Sequence, residues 1–492
     1  MKKIAKFLIV LGMMGQLSSC DYLDIVPDER AQESDTWKTE GAVRGYLYSC
    51  YGYLPANRTF GNSYWLAEEL TAVTKELFTT FKYGYYSPVS LGFTSNTWST
   101  IWNGIHQCYM FQESLKQVSN EYVTDEMKKQ YLAESNFLIA YYHFLSMRSY
   151  GPTMIIRSVI DLETPISGFP ERSSIDEVVA FINEKLDEAM SEGGLPTTWS
   201  GKDYGRATRL AALALKSRVY LYAASPLYNG NTEMYADFRS PLDGRQLIAQ
   251  EKSQAKWEIS ATQTKYAIDE VEKAKFHLYH DADAGEPSDA KPGLPNKAQR
   301  RLRYTNIDNQ TGNNPEIIWA DTRNDDYYGI QRRCPPRQTL GGKFAGISMT
   351  NCPTLQTIEA FYTKNGLPIN KDKTFDYDER YEYISAPENC DGNNYEDLVK
   401  YANFTPSSDK VMRLCTDREP RFYAWTTYHN GYFEFGKYNN EEISADPAKR
   451  AIRIHLLRDD PHGRGNRTDQ EYSISGFGNK KGVVPSAEWN VI

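Results

Sequence analysis

Leu17-Ser18-Ser19-Cys20 is the stretch of this chain whose chemistry is most sharply specified. It follows Lys2-Lys3 and an apolar run from Ile4 to Met14 broken by Lys6, which is the layout of a secretory signal over residues 1–19 and too short for a permanent membrane span. A small-residue box that ends in cysteine after such a signal is the pattern of a bacterial lipoprotein. There the cysteine becomes the first mature residue and carries several acyl chains, enough for stable anchoring where one chain is not. Cys20 is therefore the expected lipid-attachment residue. Plain cleavage with a free Cys20 thiol is the alternative.

The rest of the chain offers less for bond-making chemistry. Cys50, Cys108, Cys334, Cys352, Cys390 and Cys415 contain no C-x-x-C pair, so neither a zinc ribbon nor a thioredoxin-like redox site is expected. Disulfides are permitted in an exported protein, but burial as small apolar residues is the expected use. Asp281-x-Asp283 opens like a calcium loop, yet Pro292 stands at position 12, where an EF-hand needs Glu. Gly341-Gly342-Lys343 lacks the glycine spacing and the following Ser or Thr of a phosphate loop, and neither H-E-x-x-H nor G-x-S-x-G occurs. The acidic pairs Glu68-Glu69 and Asp325-Asp326 are adjacent residues, whereas glycosidase carboxylates converge on a sugar from separate elements. No catalytic residue, metal or cofactor is expected.

Binding chemistry is better supplied. The chain has 36 Tyr against 20 Phe and 9 Trp, so its aromatic excess lies in the type that also hydrogen-bonds. Most of these rings are expected to fill a helical core. Two groups stand outside helical periodicity: Tyr83, Tyr85 and Tyr86, with Lys82, in the Gly/Asn/Ser/Thr-rich stretch 57–97, and Tyr327 with Tyr328 beside Arg323, Asn324 and Asp325. Loops on a rigid scaffold are where binding residues gather. The formal charge is −8, and losing Lys2, Lys3 and Lys6 with the signal takes it to −11, which argues against nucleic acid as a partner.

Those loops need a frame, and the sequence predicts one made of helices. The stretch 205–229, GRATRLAALALKSRVYLYAASPLYN, carries Ala207, Leu210, Ala211, Ala214, Leu215, Val219 and Leu221 at three- and four-residue steps, one closely packable stripe ended by Ser225-Pro226. Ser174-x-x-Glu177 has the form of a capping box and opens a helix that stops at Gly193-Gly194. Such hairpins leave half their apolar surface uncovered and should stack on further pairs, as in tetratricopeptide-like arrays. Helices are also predicted over 39–53, 98–118, 125–150 and 257–275. Beyond 300 the pattern turns to loops and short strands, with a strand over 314–320 and a hairpin of 421–428 with 432–435 around Asn430-Gly431.

Together these residues resemble the SusD/RagB-like outer-membrane nutrient-binding lipoproteins of Bacteroidetes. The matching pieces occur in the family's order over most of residues 20–435. They are Cys20 followed by Asp21-Tyr-Leu-Asp24, then Tyr131 to Tyr142 running on to Gly151, Arg206-Ala-Thr208 with Ala212 to Lys216, Ala224 to Tyr228, Asn314 to Ile318, and Asp417 to Tyr423. Ile139 departs from the family's F-L-R-A signature, and the family's last helical segment, which follows an ending like Ser475 to Lys480, is missing from the 492 residues. The resemblance implies a mainly α, tetratricopeptide-like helical-pair array as one domain over 20–492, its frame at about 36–280 and its loops and short strands at about 281–492. It further implies a glycan-binding lipoprotein, not an enzyme, on the outer face of the outer membrane, which passes oligosaccharide or another nutrient to a SusC-like TonB-dependent transporter. Its glycan site would come from the two loop regions, through Tyr83, Tyr85, Tyr86, Tyr327, Tyr328, Arg323 and Asn324. A surface glycoside hydrolase and a ligand-free interaction scaffold are the competing readings.

Overall fold

The computed structural model describes residues 37–55, 69–72, 84, 87, 94–161, 163–283, 297–307, 314–323, 333–336, 349–385, 410–434, 437–438, 441–442, 451–460, 463–464 and 472–483. Six helices make the frame: α1 (Glu40–Tyr51), α2 (Thr94–Leu115), α3 (Asp125–Tyr150), α4 (Ile175–Ala189), α5 (Arg209–Ala224) and α6 (Gln254–Lys273). Each packs against the next in sequence, α1 on α2 through to α5 on α6, so the tetratricopeptide-like array expected from the sequence is what forms. None of the helices among the described residues is long and apolar enough to cross a membrane.

Local chemistry fixes where these helices start. Thr39, Thr124, Ser174 and Thr208 each sit in extended backbone and accept a backbone N–H of the first turn through the side-chain hydroxyl. At Ser174 the predicted capping box is complete, with the Glu177 carboxylate accepting the Ser174 N–H at 2.7 Å. Thr208 explains why α5 starts at Arg209, two residues after Ala207, the first position of the predicted stripe.

The centre of the frame is α3, which buries Phe137, Leu138, Ile139, Ala140, Tyr142, Phe144 and Met147. Gly104 on α2 lets it approach: a Cβ there would stand 2.7 Å from Cζ of Tyr142. The single stripe predicted for α5 is two faces. Ala211, Ala212, Leu215 and Val219 join the main core, while Leu210 and Leu213 meet Ala267 of α6, and Leu221 is half exposed. A helix between two neighbours must be apolar on both sides, so α5 has no wide polar face.

The later half departs further from the sequence reading. Residues 314–320 are turns and bends, because Asn314 Oδ1 accepts the Glu316 N–H at 3.1 Å and Pro315 has no N–H to offer a ladder. The predicted hairpin is absent too. Pro420–Trp425 is a helix with proline at its first position, Thr426–Thr427 pairs with Gly478–Asn479, and Tyr432–Glu434 pairs with Ala451–Arg453. Asn430, in the left-handed region at φ 62°, does make the turn, but the strands it separates take other partners. A second core gathers Ile358, Val411, Leu414, Phe422, Tyr428 and Phe477. Cys50, Cys108, Cys334, Cys352 and Cys415 are all buried, and Cys390 lies outside the described residues.

Candidate functional site

The two aromatic loops leave the frame beside each other. Arg323 donates from Nη1 to Leu54 O at 2.9 Å and from Nη2 to Pro55 O at 2.8 Å, while its Nε bonds the Asp321 carboxylate at 2.8 Å. The last described residues before the first loop are thereby fastened to the last ones before the second. A second tie lies at 69–71. Leu70–Thr71 pairs antiparallel with Cys352–Pro353, Thr354 N–H donates to Glu69 O at 3.0 Å, and the Thr357 hydroxyl donates to the same oxygen at 2.9 Å. Asn351 N–H closes the second loop region on Arg333 O at 3.0 Å. Segments 55–72 and 323–353 are thus tied together at both ends.

The strut that carries the second loop is docked firmly on α3. Trp319 packs edge-on against Phe137 and Tyr141, with centroids 5.1 and 5.4 Å away, and its indole N–H donates to Gly205 O at 2.8 Å. Gly205, at φ 98°, has no room for a side chain, since a Cβ would lie 2.8 Å from the Thr322 methyl.

Under this junction sits a buried polar network. Glu134, fully buried on α3, accepts from Arg206 Nε at 3.2 Å and Nη2 at 2.5 Å and from the Tyr51 hydroxyl at 2.6 Å; the Tyr51 oxygen in turn accepts Ala207 N–H at 2.9 Å. Burial pushes the Glu134 carboxyl up, and the Arg206 guanidinium and Tyr51 hydroxyl oppose it. Burial alone would lower Arg206, but its bonds to Glu134 and Asp203 outweigh that and hold it charged, over the Trp199 ring at 4.1 Å. The network joins the end of α1 to α3 and the start of α5. Its chemistry is positional, because every strong donor and acceptor in it faces another.

Of the residues singled out for glycan contact, Arg323 is described, and it is the clamp just given. Tyr83, Tyr85, Tyr86, Asn324, Tyr327 and Tyr328 lie outside the described residues, as do Cys20 and the signal at 1–19. Glu134 was the site-supporting residue that periodicity passed over. The signal that marks it is a lone carboxylate on an apolar helix face, matched by the lone Arg206 ahead of α5.

A stack of helices that ties two loop regions together at 54–71 and 323–357 is a scaffold for presenting a binding surface. The family described as "Starch-binding associating with outer membrane", SusD-like_3, matches residues 21–221, and the SusD family, SusD_RagB, matches residues 315–490. The solved structure titled BT4246 is 27% identical with a TM-score of 0.73, covering 91% of this chain and 73% of that one. A SusD-like protein (BF3747) from Bacteroides fragilis NCTC 9343 is 19% identical, with a TM-score of 0.58 and coverage of 91% and 69%. A SusD-like carbohydrate binding protein (BF0978) from the same organism is 16% identical, with a TM-score of 0.52 and coverage of 91% and 68%; these last two bear on the fold alone. No curated protein matches the chain. The chain belongs to the SusD/RagB family.

Proposed function

We propose that this protein is a lipid-anchored, non-enzymatic glycan receptor of the outer membrane that captures oligosaccharide and hands it to a SusC-like TonB-dependent transporter. The observation that carries the reading is the tie between the two loop regions, by Arg323 to Leu54 and Pro55 and by the strand pair at 70–71 and 352–353, with Tyr327 and Tyr328 between the tied ends in sequence and Tyr83, Tyr85 and Tyr86 following the second tie. Tyr83, Tyr85 and Tyr86 from one loop and Tyr327 and Tyr328 from the other would supply ring faces for a sugar, with Asn324 bonding its hydroxyls and Arg323 holding the loop bases. Family membership supports carbohydrate as the ligand class and the outer membrane as the location.

Calorimetry of the full chain against plant, host and microbial oligosaccharides tests the reading. It expects one-to-one binding of at least one glycan with the sugar recovered intact. Release of shortened sugar would establish the hydrolase reading instead, and no binding across the panel would favour the scaffold. The anchor is tested separately: Cys20→Ala should release the protein from the membrane and abolish incorporation of labelled palmitate. Unchanged membrane association of that variant contradicts lipid attachment at Cys20.

A further inference from the structure

We propose that His277, His280 and Asp283, in the turn that follows α6, bind one divalent ion of the zinc class. His277 Nε2 lies 3.3 Å from Asp283 Oδ2, His280 Nδ1 lies 4.0 Å from the same oxygen, and one ligand atom from each of the three residues falls within 4.8 Å of the others. Nitrogen and oxygen ligands on a tetrahedral zinc, at about 2.0–2.1 Å from the ion, stand roughly 3.3–3.5 Å apart. The His277–Asp283 pair already has that spacing, and His280 reaches it by a shift of less than an ångström as its Nδ1 leaves the carbonyl of Leu278. The two rings meet edge to face at 5.1 Å and 72°, so both can turn a nitrogen toward one point.

With its ring proton on Nδ1, which faces the Lys275 carbonyl at 3.4 Å, His277 would offer its Nε2 lone pair to an ion held also by the Asp283 carboxylate. Two imidazoles and one carboxylate suit zinc and its transition-metal neighbours, whereas calcium and magnesium take all-oxygen sets. The failed calcium motif at Asp281-x-Asp283 therefore ends in a different metal chemistry.

The ligands sit on a backbone that is already fixed. Lys275, at φ 72°, turns the chain out of α6, His277 N–H donates to Pro315 O at 3.1 Å, and Tyr279 N–H donates to the Glu316 carboxylate at 2.9 Å. His280 N–H donates to Asp283 Oδ2 at 2.7 Å and Asp283 N–H to His280 O at 3.1 Å. The side chains of His277 and His280 are 48% and 60% exposed against 20% for Asp283, which leaves a path for the ion and a fourth position for water. The other trio of this kind, His429, His455 and Asp460, is buried, and Leu456 N–H donates to His429 Nδ1 at 3.0 Å while Leu457 N–H donates to Asp460 at 3.1 Å. That trio is closed off from solvent, whereas the trio at 277–283 is open to it. Pro315 and Glu316 begin the strut that carries Trp319 and Arg323, so an ion at 277–283 would stiffen the base of the second loop whatever that loop binds.

The test is titration of the full chain with zinc alone, followed by calorimetry, with cobalt as a spectroscopic substitute. Wild type should take up one equivalent, cobalt should show the absorption of a low-coordinate nitrogen–oxygen site, and calcium should not compete. Loss of an outer-shell partner typically weakens a metal site by about 10–100-fold, so removing a direct ligand in His277→Ala or His280→Ala should cost about 100-fold or more. His106→Ala, an exposed histidine elsewhere, should bind as wild type does. Metal-free melts of the two site variants should match wild type, which separates a lost ligand from a lost fold. The proposal is overturned if wild type takes up no zinc at micromolar concentration, or if the double variant His277→Ala/His280→Ala keeps the wild-type stoichiometry and affinity.

Discussion

His143 shows how much one residue can couple this fold to its surroundings. It lies fully buried on α3, its Nδ1 2.8 Å from Ile139 O, its Nε2 accepting Ile156 N–H at 3.3 Å and its ring edge-on to Phe181. Burial is the main cause that lowers it from 6.5 to about 4. Below pH 6.5 the unfolded chain therefore takes up a proton that the folded chain refuses until about pH 4. Its contribution is fully present above pH 6.5 and is lost as pH falls through that window, about 3 kcal/mol in all. Denaturant melts should show His143→Gln losing about 2 kcal/mol less than wild type between pH 7 and pH 5. An identical pH slope in the two proteins would remove His143 as the cause.

At the scale of elements, buried Arg418 does for the second core what Glu134 and Arg206 do for the first. Its guanidinium donates to Ile358 O at 2.8 Å, Phe361 O at 2.7 Å and Leu414 O at 2.6 Å, and lies over the Phe422 ring at 4.7 Å. One side chain thereby closes the end of the Leu355–Ala360 helix, the turn at Arg413–Cys415 and the Pro420–Trp425 helix. Burial brings it down to about 10, still charged at neutral pH. Arg418→Met fills the space but strands three carbonyls, and should cost about 3 kcal/mol in equilibrium unfolding. A loss under about 1 kcal/mol, the size of one ordinary hydrogen bond, would mean water replaces the guanidinium.

The same scale shows where sequence reading worked and where it stopped. The range predicted for α3 matches the observed helix, because Thr124 caps one end, Gly151 closes the other, and no proline or glycine interrupts the residues between, which are buried almost without a break from Tyr131 to Met147. Helix α5 was found but its faces were misjudged, since periodicity reports an apolar side and not how many neighbours share it. The 421–428 strand failed for a stronger reason. Phe422, Tyr423 and Trp425 have strand-like types, yet proline at the first turn and burial against Tyr428 favour a helix there. Arg323 was read for ligand contact from its company in the loop. Its bonds to Leu54 and Pro55 span some 270 residues of sequence, a distance over which no local pattern carries information.

At the scale of the whole molecule, two loop regions are tied to each other at 54–71 and 323–357 on one helical array. Four hydrogen bonds and one strand pairing make the tie, and none involves the tyrosines themselves. If the loops form one surface, each must contribute to the same ligand. The direct measurement is calorimetry of two paired variants, Tyr85→Ala/Tyr86→Ala and Tyr327→Ala/Tyr328→Ala, against one oligosaccharide that wild type binds. Each pair should lose about 1–3 kcal/mol of affinity on the scale of aromatic stacking, with the stoichiometry of the remaining binding unchanged. Full affinity in either pair would contradict a shared site and leave the ligand on one loop or elsewhere on the frame.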